Sequence, residues 1–403
     1  MVSISATNGE AKVNTSSSLV PRLWITGLGS QYPPYLHAPE KFVTLAKRFH
    51  STEKPVLKKL LRLTLNSGID TRASTLNLET GFGCQKEIPS IVDLDSWFRK
   101  HGVDLTTQAC RKALREWGGD ITEDITHTVA FNSGVQSFPG YDYLVARSLR
   151  LSYDVENIFL QGVGCAGGLS VMRVAAEIAC AATLLRKPAR ILCFSCELNT
   201  PYTRHQYAEA EVATDLENMD IAGSLFSDAA GAFVLCNEYG LDDIGQAKFQ
   251  LLDWERAITP DTLHNMGAVI KTTGYSSIIT RQVPSLTKKA VPPLFEKCLA
   301  RYREKTGQQD LSIDDLDWAL HPGGAAIIDG VKEELKLTEY QIRAARQIYR
   351  TRGNSGSPTV LCVLDLLRAM GDGKDDVVAV AFGPGLGTEM AFLRRCRGGA
   401  IAA

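Results

Sequence analysis

Short runs of apolar residues alternate along the chain with longer segments in which apolar residues recur every three to four positions. Such short runs are typical of buried strands, and the longer periodic segments are typical of helices that cover a sheet. The pattern therefore predicts an α/β protein with layered strands and helices. The predicted strands cover residues 22–29, 128–131, 156–160, 189–196, 225–235, 249–256, 317–320 and 377–382. The predicted helices cover 54–66, 105–117, 141–151, 169–185, 283–305, 325–337 and 357–370.

A change in composition near residues 237–246 divides this pattern into two halves. The segment is polar, and the alternation of strands and helices restarts after it. We predict an N-terminal half over residues 21–245 and a C-terminal half over residues 246–403. Residues 1–20 are rich in Ser, Thr, Asn and Ala, which predicts a disordered tail.

The long segment of residues 200–223 is polar and has no clear period. Long loops inside a compact domain are usually functional. We therefore predict a loop at the active site over this segment.

Composition and charge exclude several classes of protein. The 403 residues are 44% hydrophobic and 22% charged, and the net charge is −1 from 44 basic and 45 acidic residues. No overall field attracts nucleic acid or an anionic membrane. The N-terminus lacks the apolar core of a secretory signal, and no uncharged apolar run reaches transmembrane length. We expect a cytoplasmic protein with reduced cysteines and no membrane insertion.

Cys165 lies in a glycine-rich turn, G-V-G-C-A-G-G over residues 162–168, between a predicted strand and a predicted helix. Backbone N–H groups at a helix start favour an anion, so we expect the thiol to lose its proton easily. A buried cysteine that serves only in packing is one alternative. Another is a dinucleotide-binding loop, because residues 162–167 match G-x-G-x-x-G and Glu197 follows the next strand.

Two further polar residues lie at similar strand ends or helix starts. His321 ends the strand of residues 317–320, and Asn354 precedes the helix of residues 357–370. Ligands of open α/β sheets bind at such edges. A cysteine, a histidine and an amide together suit acyl transfer, since the histidine can hold the thiolate, and the imidazole and amide can donate to a developing enolate oxygen. This chemistry requires no metal.

Five motifs carry a resemblance that covers most of the chain. They are G-C-A-G-G at Cys165, L-F-S-D-A-A at residues 225–230, H-P-G-G at 321–324, G-N at 353–354 and G-P-G-L at 383–386. The chain resembles the type III polyketide synthases of the chalcone synthase superfamily, and is most similar to the fungal branch that makes alkylpyrones and alkylresorcinols. The resemblance implies a thiolase-type fold with layers αβαβα and a homodimer. It also implies condensation of malonyl-CoA on a cysteine-bound starter, with CoA thioesters as substrates and no permanently bound cofactor.

The resemblance also implies roles for individual residues. Cys165 corresponds to the nucleophile, and His321 and Asn354 to the pair that supports decarboxylation. Further substrate positions fall on Phe226, the gatekeeper between the CoA tunnel and the cavity, on Ser357, and on Phe138, which reaches the partner's cavity. The implied CoA contacts are Lys59, Arg62 and Ala326, and the implied structural loop at the site is Gly383, Pro384 and Gly385.

The chain departs from the family at the substrate cavity and the CoA site. A second gatekeeper phenylalanine is replaced by Ser277, which removes a large apolar side chain. A position that is often threonine holds Tyr202, and its neighbour is Asn199. The third CoA-phosphate position is Asn66. Loss of the phenylalanine favours a long acyl tail or a second acyl group, whereas Tyr202 favours a shorter cavity.

We therefore predict a polyketide synthase that loads a fatty acyl starter on Cys165 and releases pyrone or resorcinol-type products. One alternative is a β-ketoacyl synthase III-like condensing enzyme, whose usual histidine motif is H-Q-A-N where this chain has H-P-G-G. A second alternative is the NAD(P)-dependent dehydrogenase suggested by residues 162–167.

Overall fold

The computed structural model describes residues 21–397 except Gln136 and Asp242. The predicted tail of residues 1–20 lies outside the described residues. The strands are β1 (Leu23–Gln31), β2 (Tyr35–His37), β3 (Arg72–Ser74), β4 (His127–Phe131), β5 (Glu156–Leu160), β6 (Arg190–Leu198), β7 (Asp228–Asn237), β8 (Phe249–Ile258), β9 (Met266–Lys271), β10 (Gly274–Ile279), β11 (Leu316–Leu320), β12 (Asp376–Gly383) and β13 (Gly387–Arg395). The helices are α1 (Pro39–Phe49), α2 (Pro55–Leu65), α3 (Ile91–Trp97), α4 (Val103–Trp117), α5 (Tyr141–Leu149), α6 (Gly167–Leu184), α7 (Thr203–Val212), α8 (Ala222–Leu225), α9 (Val283–Thr306), α10 (Ala325–Leu335), α11 (Arg343–Arg352) and α12 (Thr359–Ala369).

The two halves of the chain build mirrored strand orders. Within the described residues the main sheet runs β11-β12-β13-β8-β1-β7-β6-β4-β5. The antiparallel β1–β8 pair joins the two halves. From β1 the order β7, β6, β4 has two antiparallel pairings and then a parallel one, and from β8 the order β13, β12, β11 has the same sequence of pairings. The division near residue 245 remains a prediction, and this mirrored order supports it.

Helices α6 and α12 form a middle layer between the two halves of the sheet. Each contacts strands from both halves, whereas α4 covers the outer side of the N-terminal half and α9 that of the C-terminal half. This arrangement gives five layers, αβαβα. Strands β6, β7 and β12 are almost entirely buried because they lie in the interior of this stack.

One described helical segment, the 21 residues of Gly164–Leu184, is long and apolar enough to cross a membrane, with a mean hydropathy of 1.4 over its most apolar 18-residue window. It contains α6, the helix of the middle layer, and 56% of its most apolar window is buried inside the protein. Its apolar character is therefore that of a core helix.

The prediction of a loop over residues 200–223 is wrong in part. The segment contains α7 and α8, and α7 buries residues over most of its surface, so the period of an amphipathic helix is weak. The β9–β10 hairpin, α11 and β13 were not predicted from the sequence.

Candidate active site

Cys165 lies in a single 3₁₀ turn, Gly164–Ala166, between β5 and the start of α6. Gly164 has φ of +49°, a conformation that favours glycine, and a side chain there would overlap Pro384. A Cβ atom on Gly167 would overlap the ring of Phe131, which is completely buried. The glycines of the motif therefore allow the start of α6 to pack directly on β4 and on the loop after β12.

The loop of Gly383, Pro384 and Gly385 turns β12 back into β13 beside the cysteine. A side chain on Gly383 would overlap the carbonyl oxygen of Val163, and Gly385 has φ of +67°. Pro384 and Gly385 line the same cavity as Cys165. This loop therefore packs directly against the nucleophile turn and fixes the cavity wall beside it.

His321 follows β11, and its backbone N–H donates to the carbonyl oxygen of Val380, with an N···O distance of 2.8 Å. The residue is only 2% exposed, and its Nδ1 has no hydrogen-bond partner among the described residues. A buried polar atom without a partner is unfavourable, so the imidazole is available to a ligand.

Asn354 lies between α11 and α12 and is fixed by both its backbone and its side chain. Its backbone N–H donates to Leu225, and its carbonyl oxygen accepts from the N–H of Ser227 at 2.8 Å. Its Nδ2 donates to the carbonyl oxygen of Gly323 at 3.1 Å, while its Oδ1 accepts from the N–H of Gly356 at 2.8 Å. Because the amide has two N–H groups, one of them remains for a substrate.

The expected easy loss of the Cys165 proton is wrong for the free enzyme. Burial, together with the smaller effect of the nearby Glu197, raises the pKa of the thiol to about 12. Burial likewise lowers the pKa of His321 to about 4. Desolvation penalises the charged form of each group, and for Cys165 this penalty outweighs the stabilisation of a thiolate by the helix start. Both side chains are therefore neutral before substrate binds.

A cavity of about 1160 Å³ connects these residues to the surface. His321 and Asn354 are buried and Cys165 is half-buried, whereas the half-buried Lys59 and the exposed Ala326 line another part of the cavity. The predicted site residues that line the cavity are Cys165, His321, Asn354, Phe226, Ser277, Tyr202, Asn199, Ser357, Lys59, Ala326, Pro384 and Gly385. Arg62, Phe138 and Gly383 do not line it.

The predicted substrate positions surround the cavity on different elements. Ser277 on β10 is fixed by its backbone N–H, which donates to the Asp220 carboxylate at 2.7 Å. The Tyr202 ring lies 5.5 Å from the Tyr275 ring, and the Tyr275 hydroxyl donates to the carbonyl oxygen of Gly134. The two tyrosine rings limit the cavity on one side, whereas the small side chain of Ser277 leaves space in the cavity beside them.

Phe138 and Arg62 lie outside the cavity of their own chain. Phe138 precedes α5 and is 94% exposed, so its ring projects into solvent. Arg62 does not line the cavity, although it lies on the same face of α2 as Lys59 and Leu63, which do.

Glu197, the acid considered above for a dinucleotide-binding loop, also lines the cavity. It is buried on β6, where it accepts from the Ser133 backbone N–H, at 3.1 Å, and hydroxyl, at 2.9 Å, and from the Ser357 hydroxyl at 2.9 Å. Burial raises its pKa to about 7, and the hydrogen bonds from Ser133 and Ser357 oppose that rise. Its place at the end of a buried strand could have identified Glu197 as a site residue, because Cys165 and His321 also follow strands.

In the part of the chain that the structure describes, no group of three or more His, Cys, Asp or Glu side chains is placed to hold a metal ion. Neutral thiol, imidazole and amide groups are the reactive groups that meet in the cavity.

Comparisons with known proteins place this site in a family. The patterns for the N-terminal and C-terminal domains of chalcone and stilbene synthases match residues 23–238 and 250–396. The chain is 52% identical to the type III polyketide synthase pspB of Penicillium soppii over 388 residues, which cover 93% of this chain and 97% of the relative. It is 31% identical to the acylalkylpyrone synthase csyB of Aspergillus oryzae over 377 residues, which cover 92% of this chain and 94% of the relative.

Solved structures agree with these relatives. The fungal type III polyketide synthase ORAS is 35% identical and superimposes with a TM-score of 0.88, covering 93% of this chain and all of that one. CsyB in complex with CoA-SH is 30% identical and has a TM-score of 0.87 with the same coverage. The fold is therefore of the thiolase type. The chain belongs to the chalcone and stilbene synthase family and is a type III polyketide synthase, an acyltransferase that catalyses decarboxylative condensation.

Proposed function

We propose that this enzyme loads a fatty acyl starter on Cys165, extends it with malonyl-CoA and releases cyclised products of the pyrone or resorcinol type. One observation carries the proposal: a single cavity of about 1160 Å³ joins the half-buried Cys165 and the buried His321 and Asn354 to a mouth lined by two basic side chains and to an open wall at Ser277. This volume is at the upper end for ligand cavities, which suits a thioester arm together with a growing chain.

The loading step is acyl transfer to the thiol. As a CoA thioester enters, the Cys165 proton passes to His321, because paired charges suffer less from burial than an isolated thiolate. The sulfur attacks the acyl carbonyl, the carbon–sulfur bond to CoA breaks, and the CoA thiolate takes up the proton. No permanently bound cofactor is needed for this exchange.

The extension step uses the two donors beside the nucleophile. Loss of CO₂ from malonyl-CoA leaves an enolate, whose oxygen accepts from the imidazole N–H of His321 and from the remaining N–H of Asn354. The enolate carbon then attacks the acyl carbonyl on Cys165, the carbon–sulfur bond to Cys165 breaks, and the departing thiolate takes a proton from water, which gives a β-ketoacyl-CoA and the free thiol. Because Asn354 is fixed through four hydrogen bonds, its amide is oriented before the charge develops.

A long starter is favoured by the wall around Ser277. The hydroxymethyl group leaves space where an aromatic ring would narrow the cavity, and Phe226 separates this space from the mouth. The 31% identity to an acylalkylpyrone synthase supports products of the same kind. The tyrosine wall at Tyr202 limits the cavity on another side and sets the maximum length.

We also propose that the enzyme is a homodimer of the cytoplasm. The ring of Phe138 is 94% exposed, and β5 forms the edge of the described sheet, so both offer contacts to a second copy. All ten cysteines are free, which suits a reducing compartment.

The decisive experiment measures product mass after incubation with acyl-CoAs of graded length and isotopically labelled malonyl-CoA. Products should carry the starter and several labelled two-carbon units, with fatty acyl starters used in preference to aromatic ones. Preference for a coumaroyl-type starter would contradict the proposal for the starter, and dependence on a carrier protein would favour the β-ketoacyl synthase alternative.

The assignment of catalytic roles has a separate test. Cys165→Ala should retain decarboxylation of malonyl-CoA and lose condensation, whereas Asn354→Ala should lower decarboxylation about a hundredfold, as expected for loss of one oxyanion donor. Mass spectrometry after acyl-CoA alone should place the adduct on Cys165. An adduct on Cys193 or Cys196 instead would refute the assignment.

A further inference from the structure

The positive charges that line the cavity lie together at its exposed mouth. Among the described lining residues the basic ones are Lys59 on α2 and Arg281, which follows β10. Both contact neighbouring residues of the loop between α7 and α8. The Lys59 Nζ donates to the carbonyl oxygen of Leu216 at 2.6 Å, and Arg281 is ion-paired with Glu217. The two cations therefore flank one short segment of chain.

The Arg281–Glu217 pair is accessible and easily exchanged. The two side chains are 59% and 64% exposed, and ion pairs in solvent contribute little to stability. The loop holds its shape without this pair, because the Asp215 carboxylate accepts from the backbone N–H of Glu217 at 2.7 Å and from Asn218. Release of Arg281 thus leaves the loop in place.

We propose that Arg281 binds a phosphate group of the CoA thioester and that Glu217 competes for it in the free enzyme. The inference rests on the proposed use of CoA thioesters. CoA carries a diphosphate and a 3′-phosphate, and the planar guanidinium pairs with phosphate more favourably than with a solvated carboxylate. Asn66, which follows α2 at this mouth, is neutral, so among the described residues that line the mouth Arg281 adds a second positive charge to that of Lys59.

The test compares two thioesters that differ only in the nucleotide. For Arg281→Ala, KM for malonyl-CoA should rise about fivefold to tenfold with little change in kcat, as expected for loss of a charged hydrogen bond in an exposed setting. KM for malonyl-pantetheine, which lacks the nucleotide, should stay constant. Calorimetric titration with CoA alone should show the same loss of affinity.

Arg397→Ala is the matched control. Arg397 forms a similarly exposed pair with Asp375, at 55% and 63% exposure, at the opposite end of β12 from the site loop. Its removal should leave KM for both thioesters unchanged.

Two further variants distinguish a binding role from a structural one. Glu217→Gln removes the competitor and should lower KM for malonyl-CoA about twofold to threefold, opposite in sign to Arg281→Ala. Asn66→Lys in the Arg281→Ala background should restore most of the lost affinity for CoA, since it returns one positive charge to the mouth.

Three outcomes would overturn the inference. They are equal losses for malonyl-CoA and malonyl-pantetheine in Arg281→Ala, an unchanged CoA affinity in that variant, or weaker CoA binding in Glu217→Gln. If instead the wild-type enzyme uses no CoA thioester, the proposed function fails first, and the wild-type assay shows this separately.

Discussion

Burial is the main determinant of charge at the nucleophile, and Glu197 shows its effect on a carboxyl group. Its pKa is raised from 4.5 to about 7 although Ser133 and Ser357 donate to it. A carboxyl group with a raised pKa binds its proton more tightly in the folded state. Its stabilising contribution is present below about pH 4.5 and is lost as the pH rises through 7.

This loss predicts a pH-dependent effect of Glu197→Gln. The wild type should lose about 2 to 3 kcal/mol of folding free energy between pH 5 and pH 8 through this residue, and the variant should not. Thermal unfolding at the two pH values measures the difference, with exposed Glu296→Gln as the control. An identical pH dependence in wild type and Glu197→Gln would rule out the raised pKa.

Ser277 determines the length of the starter if the open wall holds an acyl tail. Each additional methylene buried there contributes about 0.8 kcal/mol, so kcat/KM should rise with chain length until the cavity ends. Ser277→Phe should shift the optimum to shorter chains and leave malonyl-CoA decarboxylation near the wild-type rate. Ile278→Phe, on the opposite face of β10, should leave the profile unchanged. If the dependence of kcat/KM on chain length were the same in Ser277→Phe as in the wild type, this role of Ser277 would be refuted.

At the scale of elements, the start of α6 depends on close packing against β4. Gly167→Ala places a methyl group against the buried Phe131 ring, which has no room to move, and overpacking costs about 1 to 3 kcal/mol. Because the strain falls two residues after Cys165, we expect loss of condensation activity with a cooperative fold retained. Gly371→Ala, at an open turn, is the control. Full activity in Gly167→Ala would show that the turn tolerates displacement.

The elements that the sequence predicts well are those whose pattern is local. Strands β6 and β12 each contain a continuous apolar run, residues 191–194 and 377–382, so their burial can be recognised from the sequence. Strand β13 was missed because it carries Glu389, which is 2% exposed and pairs with Arg173 of α6 at 3.1 Å. That contact joins residues far apart in sequence. The environment of Glu197 was also not predictable from local sequence, because it depends on Ser133 and Ser357 from other elements.

At the scale of the whole molecule, the exposed ring of Phe138 predicts a second copy of the chain. We expect sedimentation to give twice the mass of one chain. Phe138→Asp should weaken this dimer, because a charge would replace an apolar contact, and should alter the product profile if the ring reaches the partner's cavity. Leu184→Asp, an exposed apolar position at the end of α6, serves as the control. A monomeric wild-type enzyme would contradict the proposal.

The position of β1 has a consequence for synthesis on the ribosome. This buried strand is made about 200 residues before both of its neighbours, β7 and β8. At about 5 to 20 residues per second, β1 waits roughly 10 to 40 s with its apolar side chains and backbone groups unpaired. The nascent chain therefore needs protection from aggregation during that interval. The exposure of β1 lasts longest when translation slows between β1 and β7.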